Sequence, residues 1–464
     1  MLNIDVMVAE IGSTTTVVNA FSDLGTSHPK FIGQGIAPTT VLQGDVTLGL
    51  ECAVKNLEQN LKTGVKWNRM MASSSAAGGL KMTVHGLVYD MTAKAAKEAA
   101  LGAGAVLHMV TAGQLFPSDL KKMLEIKPNI ILLAGGVDYG EKATVISNAE
   151  KIAGLDIDTP VIYAGNVAAR EEIREIFKGK NKVFFVDNVY PRIDELNIEP
   201  TRKVIHEVFE EHIVIAPGMD KIRTMVDGPI IPTPGAVMNA AKLLKEKIGD
   251  LMVLDVGGAT TDVHSVTEDS DEIAKILVAP EPEAKRTVEG DLGVFVNRYH
   301  VLENVSIEEA GKALNIDVRE AIKKQPPIPK TPEEIKLAEY LAEMACIIAV
   351  NRHAGEIKYL YGPTGRYSIA QGKDLTRVKW IIGTGGALTK LPDGRVILQK
   401  LRQDKKGKKL LPTFDAEILI DNDYIMASSG VLAKEFPQEA IYLLENSLGL
   451  TLKILSFNSS FGLR

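Results

Sequence analysis

The sequence predicts an α/β protein, and three features carry that prediction. Through the middle of the chain apolar strands alternate with amphipathic stretches, and each strand ends in a glycine or Asx turn. Near the N-terminus, Val6-Met-Val-Ala-Glu10-Ile-Gly12-Ser-Thr-Thr-Thr16-Val-Val reads as strand, glycine turn, strand. The octapeptide Asp255-Val-Gly-Gly-Ala-Thr-Thr-Asp262 repeats that design, between Leu251-Met-Val-Leu254 and Val263-His-Ser-Val266. A further apolar strand from Val378 runs into Gly383-Thr-Gly385-Gly386.

Taken in order, the first residues read as three strands, Ile4 to Ala9, Thr15 to Phe21 and Pro29 to Ile36. A helix is expected from Asp45 to Leu61, with Val46, Leu50, Val54, Leu57 and Leu61 on one face. Another strand, Arg69 to Ala72, leads into the small-residue run Ser73 to Gly79. From about His85 to Ile230 the alternation predicts parallel βαβ units. Ile130-Ile-Leu-Leu133 ends in Ala-Gly-Gly, Pro160-Val-Ile-Tyr163 in Ala-Gly-Asn, and Lys182-Val-Phe-Phe-Val186 in Asp-Asn. These turns lie on the carboxyl edge of the sheet, where open parallel sheets bind ligands, although glycines also simply cap short turns. Further on, Ser306-Ile-Glu-Glu309 and Thr331-Pro-Glu-Glu334 match capping boxes. The helix after Thr331 carries Ile335, Ala338, Leu341, Ala342, Ala345, Ile348 and Ala349 as its apolar stripe. Pro412 to Ile420 reads as a strand and Tyr424 onward as a terminal helix.

Composition narrows the function classes. At 464 residues, 45% hydrophobic and 24% charged, this is an ordinary globular composition with room for several domains. The 53 basic and 59 acidic residues leave a net charge of -6, which predicts no affinity for nucleic acid or anionic membrane. No apolar run approaches the roughly 18 residues of a membrane span. Residues 1–6 enter a strand pattern directly, so a cytoplasmic location is expected. Cys52 and Cys346 each sit among apolar helical neighbours and read as buried thiols. His206 and His212 do not have the spacing of two metal ligands one helical turn apart. The basic run Asp404-Lys-Lys-Gly-Lys-Lys409 reads as an exposed loop tip.

The hairpins carry the chemistry. Glycines let backbone N–H groups approach phosphate oxygens, threonine hydroxyls add donors, and Asp255 and Asp262 can hold a hydrated magnesium ion. A plain β-hairpin can also carry Gly-Gly; it is the repetition of the design that favours the phosphate reading.

Two phosphate hairpins followed by one glycine-rich strand-to-helix turn, in that order, resemble the actin-like ATPase superfamily of sugar kinases, heat-shock chaperones and actin. A closer resemblance is to the accessory proteins of glutamate mutase, the MutL-like family, which is unrelated to the mismatch-repair protein of that name. It rests on Ala9-Glu-Ile-Gly-Ser-Thr-Thr, Ser73-Ser-Ser-Ala-Ala-Gly-Gly-Leu-Lys-Met82, Leu133-Ala-Gly-Gly-Val-Asp138, Tyr163-Ala-Gly-Asn166 and Arg286-Thr-Val-Glu-Gly-Asp-Leu-Gly293, segments that span most of the chain.

The resemblance implies an actin-like (ribonuclease H-like) two-lobed ATPase core with an additional parallel βαβ region. The first lobe would take residues 1–84, the βαβ region 85–230 and the second lobe 231–425. A helical segment, 426–464, would pack back on the core. ATP and Mg2+ are the implied ligands. Gly12, Ser13, Thr14 and Thr15 would hold phosphates from the first lobe, and Gly257, Gly258, Thr260 and Thr261 from the second. Gly383, Gly385 and Gly386 would form the adenosine turn. Asp255 would organise magnesium and the attacking water, with Asp262 either a second water-bridged ligand or a pin for the hairpin. Glu10 stands where the superfamily usually has aspartate, which leaves its catalytic role open. Glu289 and Asp291 either line the cleft or sit on an exposed turn. The implied function is an ATP-dependent reactivating chaperone for an adenosylcobalamin-dependent mutase, of the glutamate mutase or D-ornithine aminomutase type. It would promote exchange of damaged cobalamin for intact cofactor, with 85–230 as the partner surface. Two alternatives stay open. One is a small-molecule kinase with Asp138 as base; the other is a filament-forming protein, for which Glu10 is the motivating feature.

Overall fold

The computed structural model describes residues 1–40, 45–75, 80–103, 105–212, 219–305, 307–362, 365–403 and 407–450. Strands β1 (Leu2–Ile11), β2 (Thr15–Ser22) and β3 (Lys30–Pro38) form an antiparallel meander, and the helix Thr47–Leu61 returns the chain to β4 (Val65–Ser74), parallel to β1. The helix buries Leu50, Ala53 and Leu57 against the sheet, and Gly35 admits its backbone. A Cβ at Gly35 would lie 2.0 Å from the Ala53 carbonyl. Cys52 is exposed on the outer side of this helix, contrary to expectation, because its neighbour Ala53 takes the inward position; Cys346 is buried.

The chain then builds a separate five-stranded sheet from β5 (Leu80–Gly86), β6 (Ala105–Ala112), β7 (Ile130–Leu133), β8 (Val161–Tyr163) and β9 (Val183–Phe185). All its strands are parallel, in the order β6-β5-β7-β8-β9, so the inserted sheet begins at Leu80 rather than at 85. Helices cover both faces, as parallel strands require. Ala95, Ala99, Ile205 and Val208 pack on one side, and Met123, Val145, Ile173 and Phe177 on the other. Afterwards β10 (Ile230–Pro232) pairs parallel with β4, completing the first sheet in the order β3-β2-β1-β4-β10.

The second lobe repeats the first. Strands β11 (Leu251–Val256), β12 (Thr261–Val266) and β13 (Ala284–Glu289) are an antiparallel meander. The strands β14 (Glu356–Gly362) and β15 (Gly365–Gln371) make a side hairpin. Then β16 (Trp380–Thr384) and β17 (Glu417–Ile420) add in parallel, giving the order β13-β12-β11-β16-β17. Strand order and direction match the first sheet position for position. This duplicated sheet is the actin-like two-lobed core.

The helix Pro332–His353 opens with the expected capping box: Glu334 N donates to Thr331 Oγ1, and the Glu334 carboxylate accepts from Thr331 N. Its buried face is Leu337, Ala338, Leu341, Ala342, Ala345, Cys346, Ala349 and Val350, while Ile335 and Ile348 are only half-buried. Ser306, 76–79 and 404–406 lie outside the described residues, and with them the second capping box, part of the small-residue run and part of the basic loop.

Two further helices, Thr233–Ile248 and Met426–Leu432, fill the space between the lobes. Their shared core draws Val6, Val8 and Met71 from the first lobe and Leu251, Val253, Ile382 and Leu419 from the second. They meet backbone to backbone at Gly430, where any side chain would strike the Ala236 carbonyl. Among the described residues no helix is long and apolar enough to cross a membrane.

Candidate functional site

The two glycine hairpins have one geometry. In the first, Gly12 N donates to Thr15 O at 3.0 Å and Glu10 pairs across to Val17. In the second, Gly257 N donates to Thr260 O at 2.9 Å and Asp255 pairs across to Asp262. Glu10 and Asp255 are therefore structural equivalents, one from each lobe. The tips face each other: a Cβ at Gly258 would lie 2.8 Å from both Thr14 Oγ1 and Thr14 Cγ2. Each tip is braced from its own lobe. Thr39 N donates to Thr14 O, the Thr16 and Thr39 hydroxyls are 2.9 Å apart, and Ser13 Oγ donates to Ser75 O at 2.9 Å. On the other side Phe295 N and Val296 N donate to Gly258 O, and Asn297 Nδ2 donates to Ala259 O at 2.7 Å.

Bracing also engages one hydroxyl of the expected phosphate set. The Thr261 hydroxyl is fully buried and donates to Leu292 O at 2.7 Å. Thr15, Thr260 and the glycine tips stay half-buried on the cleft side of the turns. The Arg286–Gly293 segment supports the second hairpin from behind, and Gly293 is needed because a Cβ there would overlap Ala259. Glu289 and Asp291 both accept from Arg352 Nη1, at 2.6 and 2.8 Å, so they clamp the end of the Pro332–His353 helix.

Charge in the cleft is uneven. Glu10 is 7% exposed, and burial, followed by the charges of Asp255 and Asp421, pushes its carboxyl up to about 8. Burial and then Asp262 push Asp255 up to about 7, with Arg286 pulling the other way. Carboxylates that resist ionising side by side are relieved by a cation between them, and magnesium takes one or two carboxylates along with phosphates and waters. Glu10 and Asp255 suit that role. No group of three or more His, Cys, Asp or Glu side chains among the described residues is arranged to hold a metal by itself. Asp262 Oδ1 accepts from Arg286 Nη2 at 3.1 Å in a buried ion pair, a bond that pins the hairpin.

The third motif divides by residue. Gly383 is a packing position, since a Cβ there would sit 2.8 Å from Leu398 Cδ1. Gly385 has a positive φ of 83°, and a Cβ would lie 2.6 Å from Asp255 Oδ1, so this turn is fitted to the carboxylate of the second hairpin. Gly386 faces open space, with nothing within 4 Å of a Cβ.

Three residues of the cleft were not legible as site residues. Asp421, at the end of β17, is fully buried and accepts from Thr384 Oγ1, Ser447 Oγ and the backbone N–H groups of Ile425 and Met426. It locks the glycine turn to the helix that follows. Tyr424 holds a left-handed φ of 54°, unusual for a bulky residue, and its carbonyl accepts from Asn19 and Gln34 of the first lobe. Burial, then Glu10, Asp255 and Asp421, keep its phenol protonated. Lys390 Nζ lies 5.8 Å from the Tyr424 ring centre and brings a cation to the same corner. The one sequence signal was the acidic cluster Asp421-Asn-Asp423 closing an apolar strand. Asp138, by contrast, sits at the turn after β7 in the inserted sheet, where Oδ1 accepts from Val167 N and Asn188 Nδ2.

Among solved structures, nucleotide-free acetone carboxylase is similar at TM-score 0.41 and 12% identity, covering 93% of this chain and 70% of that one. Component A of Acidaminococcus fermentans (R)-2-hydroxyglutaryl-CoA dehydratase matches at 0.30 and 10%, covering 96% and 99%. Glycerol dehydratase reactivase matches at 0.31 and 10%, covering 92% and 99%. Scores at this level carry no functional weight. The sequence comparisons are of another order. Protein MutL of Clostridium tetanomorphum is 37% identical over 453 residues, 92% of this chain and 98% of that protein. The family model described as MutL protein matches residues 6–448, which take in both hairpins, the glycine turn and the inserted sheet. The chain belongs to the MutL protein family, the glutamate mutase accessory family.

Proposed function

We propose that this protein is an ATP-dependent reactivating factor that binds an adenosylcobalamin-dependent mutase and promotes exchange of damaged cobalamin for intact cofactor. One observation carries the nucleotide part: two lobes of identical topology present the same glycine hairpin tip to tip, each preceded by a carboxylate at the same register position, Glu10 in one and Asp255 in the other. Membership of the glutamate mutase accessory family supports the client.

In this reading Gly12, Ser13, Thr14 and Thr15 cradle phosphates from one side, and Gly257, Gly258 and Thr260 from the other. Gly386 leaves room for the adenosine, and Gly385 holds that turn against Asp255. Asp255 orients the attacking water, and with Glu10 it balances the charge of magnesium, which neutralises the phosphates when bound. Phosphoryl transfer needs chiefly positioning and charge neutralisation, which turns and carboxylates can supply. Nucleotide can drive client remodelling only if the two nucleotide states bind the client with different affinity. A hundredfold difference corresponds to about 2.7 kcal/mol. The kinase alternative gains nothing from Asp138, whose carboxylate is engaged in another sheet.

The test is a pull-down from source-cell extract on the immobilised protein, first with ATP and then with ADP, with captured proteins identified by mass spectrometry. A cobalamin-dependent mutase subunit retained in one state and released in the other is the expected result. ATP binding without any such enzyme in either state would overturn the client reading.

A further inference from the structure

Two of the family-like segments, Leu133–Asp138 and Tyr163–Asn166, have no part in the nucleotide cleft. They form the carboxyl-edge turns of the inserted sheet. Its strand order places a change of connection direction at β5, where such sheets often open a ligand crevice. Here the crevice is filled. Leu87 Cδ2 is 3.3 Å from where a Gly136 side chain would start, and the Ala93 backbone closes over Gly86. The edge is therefore a surface and not a pocket.

That surface is apolar and rigid. Val88, Tyr89, Phe116, Tyr139 and Ile193 are 43, 60, 64, 84 and 70% exposed, and they come from the turns after β5, β6, β7 and β9. The turns are tied into one platform: Gly113 N donates to Gly86 O, and Asp138 N to Pro191 O. Tyr139 stands at its centre with a left-handed φ of 61°, strain that a bulky exposed residue does not need for packing. Its N–H donates to Asn166 Oδ1 at 2.9 Å. Two buried asparagines, Asn166 and Asn188, bind the carbonyls of Gly140 and Gly136 and hold the loop in that shape. Fixed, exposed tyrosines over a preorganised backbone are what protein interfaces use as anchors. Around them the exposed Asp90, Glu141, Asp187, Asp194 and Glu195 form an acidic rim, while Arg192 and Arg170 are drawn to Glu195 and Asp187.

We infer that this carboxyl-edge platform is the client-docking face, and that its occupant is a folded protein surface with an apolar centre and a lysine- and arginine-rich border. The inference rests on the client reading above and adds where, and by what chemistry, the client is held. The experiment measures binding of purified glutamate mutase and D-ornithine aminomutase, with ATP and with ADP, to the parent protein and to Tyr139→Ser, Ile193→Ser, the double variant and Asp90→Lys. ATP turnover of each variant reports an intact core. The double variant should lose affinity about thirtyfold or more, the scale of interface anchors, with turnover unchanged. Asp90→Lys should slow association and flatten its salt dependence. A double variant that binds like the parent would overturn the platform and leave the client reading standing. A parent that binds neither mutase in either nucleotide state would overturn both.

Discussion

Replacing Glu10 with glutamine removes a carboxylate that the fold buries at the cleft beside Asp255 and Asp421. The folded protein holds the Glu10 proton up to about pH 8, whereas a free glutamate releases it near 4.5. Between those values the unfolded chain binds fewer protons than the folded one, so stability falls as pH rises, and the loss is complete above about 8. At about 1.4 kcal/mol for each pH unit above 4.5, the penalty at pH 7 is about 3 kcal/mol. Below 4.5 it vanishes. Glutamine keeps the shape and does not titrate, so nucleotide-free Glu10→Gln should be more stable than the parent by about 3 kcal/mol at pH 7, with near parity at pH 4.5. Urea unfolding from pH 4.5 to 8 would measure this. Trp67 on β4 reports the first lobe and Trp380 on β16 the second, and comparison of the two checks that unfolding is read as one transition. A stability difference that stays flat across this range would refute the assignment of Glu10 as a buried, repelled carboxylate.

Asp255→Asn should leave the protein folded and cut ATP hydrolysis at least about a hundredfold, the scale of losing a main electrostatic element; normal turnover would mean that the reacting centre lies elsewhere. Gly386→Val should leave unfolding unchanged, because a side chain there meets open space, and weaken ATP binding measured by calorimetry. Gly385→Ala should damage both stability and binding, since its Cβ would collide with Asp255. Arg286→Met strands Asp262 as an unpaired buried charge and should cost about 3–5 kcal/mol in urea unfolding. Adding Asp262→Asn should restore part of that loss, and no restoration would mean that Arg286 acts through Leu101 instead.

The duplicated core was legible because each lobe announces its hairpin within one short stretch of chain, where strand, glycine turn and carboxylate are neighbours in sequence. The inserted sheet was legible from its strand-end turns, although the role of their glycines was not. Gly165 is required because a Cβ there would lie 2.3 Å from Gly135 N, a contact between turns some thirty residues apart. Asp421 and Tyr424 were not legible as cleft residues because they arrive there only through the parallel pairing of β16 with β17. The partner of Asp262 was not legible either, because Arg286 reaches it only across the β12–β13 pair. Cys52 was misread because apolar neighbours in sequence do not bury a residue that lies off the Leu50–Leu57 stripe of its helix.

The same Arg286 ties the candidate nucleotide cleft to the domain that carries the proposed docking platform. Its guanidinium donates to Asp262 through Nη2 and to Leu101 O through Nη1, at the end of the inserted helix Lys94–Gly102. Around it that helix meets β13 through charge: Lys94 with Glu281 at 2.6 Å, Lys285 with Glu281 at 2.6 Å and with Glu98 at 3.7 Å. Arg202 Nη2 adds a bond to Ala284 O at 2.9 Å. Among the described residues, Glu98 Oε2, Arg202 Nε, Arg286 Nε and both ring nitrogens of His264 are buried at or beside this seam without a hydrogen bond to another protein group. The joint between the two lobes is mainly an apolar core, which loses buried area as it opens, with a buried hydrogen bond from Asn19 Nδ2 to Ser428 Oγ inside it. A shift of the second hairpin at Asp262 reaches Leu101 through a single side chain, so Arg286 is a direct hydrogen-bonded link between the site where nucleotide would bind and the domain whose surface a client would dock on.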